Sequence, residues 1–283
     1  MRVAVAQIDP KLAEVDRNLE TCVQRLEEAA GDGAQLLVLP ECAIPGYMFD
    51  SAEEALPFAE EIPGPSAEVL ERECRRLGVH VVCGMLERDG DALHNSAVLI
   101  GPDGLIGTYR KTHLPFLGVD RFVFPGDEFS VYETPLGRIG VEICYDLRFP
   151  EVTRTLALKG ADIVAHPTNF PLAARPQTEF ITRARAAENR VYVLTSNRVG
   201  KERSAEFCGW SQIVEPHGAR LAEAGADDEV LLVADVDVER ARDKDFVIPG
   251  EYELYLFGHR RPNLYGALVE ETEWARSPTS SAI

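Results

Sequence analysis

Residues 1–10 alternate apolar and polar positions with the period of two of a half-buried strand. The pattern then changes. Val15, Leu19, Cys22, Val23, Leu26 and Ala30 fall at helical spacing, and Gly31 and Gly33 end that run. Residues 35–40 form a short apolar stretch that stops at Glu41. A second helix is predicted from near Ser66, a good N-cap residue, to Gly78. Residues 79–85 and 96–100 read as strands. Pro102-Asp103-Gly104 is a turn, and 105–111 return as a hairpin partner. In the second half, 138–144 predict a strand, and 150–159 a helix with Pro150 in its first turn and Gly160 past its end. A strand at 162–165, a helix at 176–190 and strands at 191–197 and 209–215 follow, before Pro216-His217-Gly218 turns the chain. Residues 231–238 predict a closing strand, 239–273 are less regular, and the small, polar character of 277–283 makes 274–283 an expected loose tail.

The two halves echo one another. Gly33-Ala34-Gln35-Leu36-Leu37-Val38-Leu39-Pro40 parallels Gly160-Ala161-Asp162-Ile163-Val164-Ala165-His166-Pro167. Each half gives β-α-β-α-β-β, which predicts mostly parallel buried strands with helices outside. Two such sheets stacked face to face make an α/β fold of the four-layer α-β-β-α sandwich type. The junction at 132–138 is short and unlike a linker, so residues 1–273 are expected to form a single domain.

Composition narrows the partners. The formal charge of −18 repels nucleic acid and anionic membranes. No apolar run approaches the ~20 residues of a membrane helix. The strand-like start, with no basic-then-apolar leader, makes a cytoplasmic location the expectation. The six cysteines form no C-x-x-C pair and are expected to be reduced thiols. Neither they nor the histidines show metal-ligand spacing.

Strand ends are where ligands gather in α/β sheets. Three reactive residues fall at such ends: Glu41 after 36–40, Lys111 after 107–110, and Cys144 after 139–143. A thiol needs a base or a nearby cation to react well at neutral pH. Glu41 is suited to move its proton. Lys111, with the Tyr145 backbone N–H, is suited to stabilise an oxyanion. Each residue also has a plainer reading: Glu41 as a cap, Lys111 as half of a solvated basic pair with Arg110, and Cys144 as a small core hydrophobe. The weight lies in the joint placement.

Three blocks in order carry a family resemblance: Leu39-Pro40-Glu41 with Gly46-Tyr47; Tyr109-Arg110-Lys111-Thr112-His113-Leu114; and residues 140–151, Gly140-Val141-Glu142-Ile143-Cys144-Tyr145-Asp146-Leu147-Arg148-Phe149-Pro150-Glu151. The runs 184–190 and Asn197-Arg198-Val199-Gly200 support them. The chain resembles the nitrilase superfamily of carbon–nitrogen hydrolases from Val3 to about Leu264. That resemblance implies the α-β-β-α sandwich, no cofactor or metal, and a homodimer or larger assembly. It implies Glu41 as general base and acid, Lys111 as oxyanion stabiliser and Cys144 as nucleophile. Members often carry a second glutamate between the lysine and cysteine blocks, and Asp120 is the stand-in here.

Nitrilases of the family typically follow the cysteine with Trp-Glu. Tyr145-Asp146 is similar to the amide and carbamoyl hydrolases. The expected activity is therefore cysteine-dependent hydrolysis of a small linear amide or N-carbamoyl compound through a thioester. A nitrilase, an acyltransferase and a non-catalytic scaffold are the alternatives. Tyr47, His113, Arg148, Asn169 and Phe170 are candidate pocket residues. Arg148 is placed either to meet a substrate carboxylate or to form a structural ion pair, and His113 to orient its loop. Arg183, Glu188 and Arg190 are expected in a charge network at a subunit contact.

Overall fold

The computed structural model describes residues 1–271, so the expected tail at 274–283 lies outside the described residues. The first half runs β1 (Arg2–Gln7), α1 (Val15–Gly31), β2 (Leu36–Val38), a short α2 (Ala52–Ala55), α3 (Pro65–Leu77), β3 (His80–Asp89), β4 (Ala92–Gly101) and β5 (Gly104–Arg110). The second runs β6 (Val131–Thr134), β7 (Gly137–Val141), α4 (Pro150–Leu158), β8 (Ile163–Pro167), α5 (Thr182–Asn189) and β9 (Tyr192–Ser196). It continues through a small hairpin β10 (Lys201–Glu202) and β11 (Ala205–Glu206) to β12 (Gln212–Val214), β13 (Arg220–Glu223) and β14 (Val230–Asp235). Beyond it lie α6 (Val238–Arg242) and the hairpin β15 (Asp245–Ile248) and β16 (Tyr252–Tyr255), in a stretch whose sequence shows little regularity.

Two six-stranded sheets result, in the orders β14-β1-β2-β3-β4-β5 and β13-β12-β9-β8-β7-β6. Each has three parallel strands at its centre, as βαβ crossovers dictate, and antiparallel strands outside them. The echoed segments become β2 and β8, each the middle strand of its parallel trio. Val3, Val5, Leu36, Val38, Val82 and Leu99 of one sheet meet Ile139, Val141, Ile163, Ala165, Tyr192 and Leu194 of the other in a single buried core. The opposite face of the first sheet packs on Cys22, Leu26 and Ala29 of α1 and Leu70 and Cys74 of α3. That of the second packs on Val152 and Leu156 of α4 and Ala186 of α5. The four-layer α-β-β-α sandwich is thus present layer by layer.

Several boundaries differ from the sequence expectation for physical reasons. The strand expected at 138–144 ends at Val141, because Cys144 adopts a left-handed backbone (φ 48°) and opens a short 3-10 turn, Cys144–Arg148. The helix expected at 176–190 begins as a wider π turn over Gln177–Ile181. The junction at 132–138 holds a strand, β6, paired antiparallel with β7. Finally, β14 leaves the second half and pairs with β1, register Arg2 to Asp235, so each half contributes to the first sheet.

The sheets' outer edges lock at one point. Tyr132 of β6 donates to the Thr108 carbonyl of β5 at 2.7 Å, and its ring lies where a Cβ on Gly107 would come within 2.0 Å. Gly107→Ala is expected to displace Tyr132 and destabilise the fold by about 1–3 kcal/mol, the usual scale of overpacking. Chemical denaturation at constant m-value measures it. An unchanged midpoint would show that the edges are not held here.

Candidate active site

Glu41 is positioned from below. Just past β2, Leu39 donates to Val82 of β3, and Cys42 takes a left-handed turn (φ 46°). Gly84 of β3 lies directly underneath: a Cβ there would sit 2.6 Å from the Glu41 Cα and 2.4 Å from the Pro40 carbonyl. Only glycine permits that approach. Asn169, just beyond β8, donates to the Glu41 carbonyl at 2.9 Å, which ties equivalent strand ends of the two sheets together.

Lys111 follows β5 and is wholly buried. Its Nζ donates to Glu41 Oε1 at 2.7 Å and to Asp120 Oδ2 at 2.5 Å. Asn95 Nδ2, on β4, donates to both carboxylates at 2.7 and 2.8 Å, and the Tyr47 hydroxyl donates to Asp120 at 2.7 Å. Two carboxylates and one ammonium therefore share a pocket with almost no exposure to water. Burial works to lower the Lys111 pKa, but Asp120 and Glu41 outweigh it and hold the ammonium well above its ordinary value. Burial raises Glu41, with Asp120 adding to it and Lys111 opposing. One Glu41 oxygen, Oε2, has no hydrogen-bond partner among the described residues.

Cys144 is held at its backbone. The neutral His166, whose pKa burial pushes down to about 4, donates from Nε2 to the Cys144 carbonyl at 3.3 Å while the Thr195 hydroxyl lies 3.1 Å from Nδ1. Arg185 donates to the carbonyls of Leu147 (2.9 Å) and Arg148 (3.2 Å) and closes the far end of the turn. Burial raises the thiol pKa and Glu41 adds to it, while Lys111, the Thr168 side chain and the Asn169 N–H favour the thiolate. The result is a resting thiol rather than a preformed thiolate. The first hydrogen bond of the turn runs from Asp146 N to the Ile143 carbonyl, so the Tyr145 N–H stands outside that ladder.

Asp146 links the lysine block to the cysteine turn. Its Oδ2 accepts from Tyr109 (2.8 Å) and from the Ile143 N–H (3.0 Å). Its Oδ1 accepts from Thr112 (2.9 Å) and from the His113 N–H (3.0 Å), with His113 Nδ1 at 2.8 Å. Desolvation disfavours this buried carboxylate, yet the donors, His113 first, leave its pKa below the ordinary range. The Tyr-Arg-Lys-Thr-His pattern is thereby explained: three of its side chains serve Asp146, and Lys111 is carried into place between them. His113 also stacks on Phe149 at 3.8 Å. Arg148 is exposed, lies 6.0 Å over the Tyr145 ring and donates to the Gln177 side-chain oxygen at 2.6 Å. Phe170 is buried, its N–H donating to Asn197 Oδ1 at 2.9 Å.

Asn95, His166 and the clamp role of Asp146 were not among the sequence candidates. The one available signal was the polar run His94-Asn95-Ser96 inside an otherwise apolar strand, since buried polar groups in a sheet need partners. Among the described residues no cluster of three or more His, Cys, Asp or Glu is arranged to hold a metal ion.

Comparison with known proteins shows the family. The family described as carbon-nitrogen hydrolase matches residues 2–245. A protein of Pyrococcus abyssi named nitrilase is 43% identical over 247 residues, spanning 86% of this chain and 92% of its own. The omega-amidase of Danio rerio is 35% identical over 277 residues, spanning 93% and 96%. Among solved structures, an amidase from Nesterenkonia superposes with a TM-score of 0.79 at 26% identity, covering 95% of this chain and 96% of its own. A structure of a mutant of that amidase, at 25% identity and TM-score 0.77, covering 94% of this chain and 95% of its own, shows the acetamide moiety of fluoroacetamide covalently added at its active-site cysteine.

Glu142, two residues before Cys144, is buried with Oε2 accepting from Thr153 at 2.8 Å and Oε1 without a partner among the described residues. Burial raises its pKa to about 8. A carboxyl raised on folding favours the folded state below its unfolded pKa of about 4.3 and loses that contribution as pH climbs through the folded value. Glu142→Gln is therefore expected to match the wild type near pH 4. It should become the more stable of the two as pH rises towards 8, with a limiting slope of ~1.4 kcal/mol per pH unit. Denaturation midpoints across that range test this. A pH-independent difference would mean that Glu142 does not change ionisation on folding.

Proposed function

Because this chain belongs to the carbon–nitrogen hydrolase family, and is on that ground a carbon–nitrogen hydrolase, we propose that it is an amidase that hydrolyses a small linear amide or N-carbamoyl compound through a covalent intermediate on Cys144. The observation that carries this reading is the buried Lys111 ammonium held between Glu41 and Asp120 at strand ends, close enough to Cys144 to act on its ionisation. Glu41 Oε2 takes the thiol proton as the sulfur attacks the carbonyl carbon. The C=O pair moves onto oxygen, and the oxyanion is met by Lys111 Nζ and the Tyr145 N–H. Glu41 returns the proton to the departing nitrogen, the C–N bond breaks, and ammonia or an amine leaves a thioester. Water then gives its proton to Glu41 and attacks the same carbon. The S–C bond breaks, the sulfur recovers the proton, and the acid departs. Asp120 is the fourth member: it keeps Lys111 protonated while the charge on Glu41 changes.

The omega-amidase relatives, and the cysteine adduct in the Nesterenkonia amidase, support an amide over a nitrile. The exposed Arg148 guanidinium beside Tyr145 suits a carboxylate at the far end of such an amide. Asn169 and Phe170 wall the other side, and Tyr47 and His113 support the floor. A nitrile substrate is the second reading, favoured by the Pyrococcus abyssi relative's name. We read residues 1–273 as one catalytic domain, since β14 returns from the second half to complete the first sheet. Exposed Leu254, Leu256, Leu264 and Leu268 support a homodimer or larger assembly. The unpaired state of all six cysteines supports a reducing, cytoplasmic setting. No described helix is long and apolar enough to cross a membrane.

Ammonia release from a panel of ω-amides, aliphatic amides, N-carbamoyl compounds and nitriles tests this, with intact mass to detect the acyl adduct. Cys144→Ala is expected to lower turnover by about 10⁴-fold or more, the scale for loss of a nucleophile. Retained turnover would remove the mechanism. Cleavage of nitriles with the matching amides untouched would select the second reading.

A further inference from the structure

The Asn197-Arg198-Val199-Gly200 block takes no part in the reaction above, yet it carries the largest fully buried side chain among the described residues, Arg198. Its guanidinium donates to Glu202 Oε1 at 2.7 Å, to Asp9 Oδ1 at 3.1 Å and to the Pro10 carbonyl at 2.6 Å, and stacks 4.3 Å over the Phe207 ring. Glu202 is itself buried, and its second oxygen accepts two backbone N–H groups, Tyr47 at 2.9 Å and Met48 at 2.7 Å. Those two residues follow Gly46, whose φ of 85° and near contact with Glu202 (a Cβ would lie 3.0 Å from Oε1) allow the chain to turn onto the carboxylate. From the same Tyr47 the side chain runs the opposite way and donates its hydroxyl to Asp120. Its carbonyl accepts from Val119, and its ring fills the space that a Cβ on Gly118 would need.

A chain of contacts therefore connects Arg198 and Glu202 of the second half, through Tyr47, to Asp120 and Lys111 of the first. We propose that Glu202 is a positioning residue for catalysis: by fixing the Tyr47–Met48 backbone it sets the Tyr47 hydroxyl on Asp120 and so the charge balance around Lys111. This rests on the amidase reading. Two features argue for a dedicated role over general packing. A carboxylate is the one side chain able to meet two N–H groups on one oxygen and a guanidinium on the other at this spacing. And among the described residues Tyr47 is one of three side chains that donate to the Asp120 carboxyl, beside Asn95 and Lys111.

A double-mutant cycle with Tyr47→Phe tests it, because effects that pass through a shared group do not add. Each of Tyr47→Phe and Glu202→Gln is expected to lower kcat by roughly 10–100-fold with KM little changed, the scale of one hydrogen bond to a charged group. The double variant should fall within about twofold of Tyr47→Phe alone. If Glu202→Gln does not fold, Glu202→Asp, which keeps the charge but shortens the reach, enters the same cycle with the same expected non-additivity. Multiplicative losses, or a lowered melting temperature with a wild-type kcat, would overturn the proposal while leaving the amidase reading intact. A wild type that cleaves no amide, and whose Cys144 is not alkylated by iodoacetamide at any pH, would take both down.

Discussion

A lysine ammonium with no exposure to water imposes the strictest condition in this molecule. The idealised cost of moving such an ion into a low-dielectric interior is on the order of 20 kcal/mol, and several remain after relaxation. Lys111 meets that condition only because two carboxylates reach its Nζ at once, and they come from different parts of the chain. Each carboxylate then needs donors of its own, which Asn95 and Tyr47 supply. The requirement spreads outward in this way until it fixes the end of β2, the register of β4, the loop carrying Asp120 and the turn at Tyr47. Removing any one partner would leave a buried charge uncompensated, so these loops are constrained as firmly as the core beneath them.

The duplicated architecture gives this constraint a place to sit. Equivalent strand ends of two stacked sheets open on the same side, and Asn169 bonds the Glu41 backbone across that boundary. The chemistry is nevertheless divided unequally. The first half holds the ammonium and its carboxylates, while the second holds Cys144 and the His166 and Arg185 side chains that support its turn. Asp146 joins the two: a single ionised side chain, with five donors around it, links the residues flanking Lys111 to the bend that presents the thiol. A left-handed non-glycine residue is strained by about 1 kcal/mol or more, and this clamp holds the bend in that conformation.

What could be read from the chain alone follows from the range of each interaction. Hydrophobic period and turn residues are local signals, so the order of strands and helices, the echo of 33–40 in 160–167 and the strand-end positions of Glu41, Lys111 and Cys144 were legible. The strand at 131–134 was not, because a four-residue edge strand with mixed polarity carries no period. Neither were the short hairpin at 201–206 and the role of Asn95, which depend on partners far along the chain, Tyr47 for Glu202 and Glu41 and Asp120 for Asn95. Asp146 is instructive: as a letter next to the cysteine it marked a branch of the family, whereas in space it is a structural clamp with no free oxygen to offer a substrate.

The direction of the Cys144 shift bears on how such a site works. Burial and the neighbouring Glu41 both disfavour a thiolate, and Lys111 offsets them only in part because its charge is already shared with two carboxylates. Under the proposed mechanism the sulfur therefore reacts as its proton moves to Glu41, in one event that requires a carbonyl carbon to be in place. A site built this way holds mostly neutral thiol when empty, and a neutral thiol is a poorer target for oxidants than a thiolate. It also makes the rate depend on how closely Glu41 and Lys111 match the negative charge as it passes from sulfur to carbonyl oxygen. Under the same proposal, small displacements of Asp120 alter that match without touching the substrate, and this is the route by which Glu202 is proposed to act.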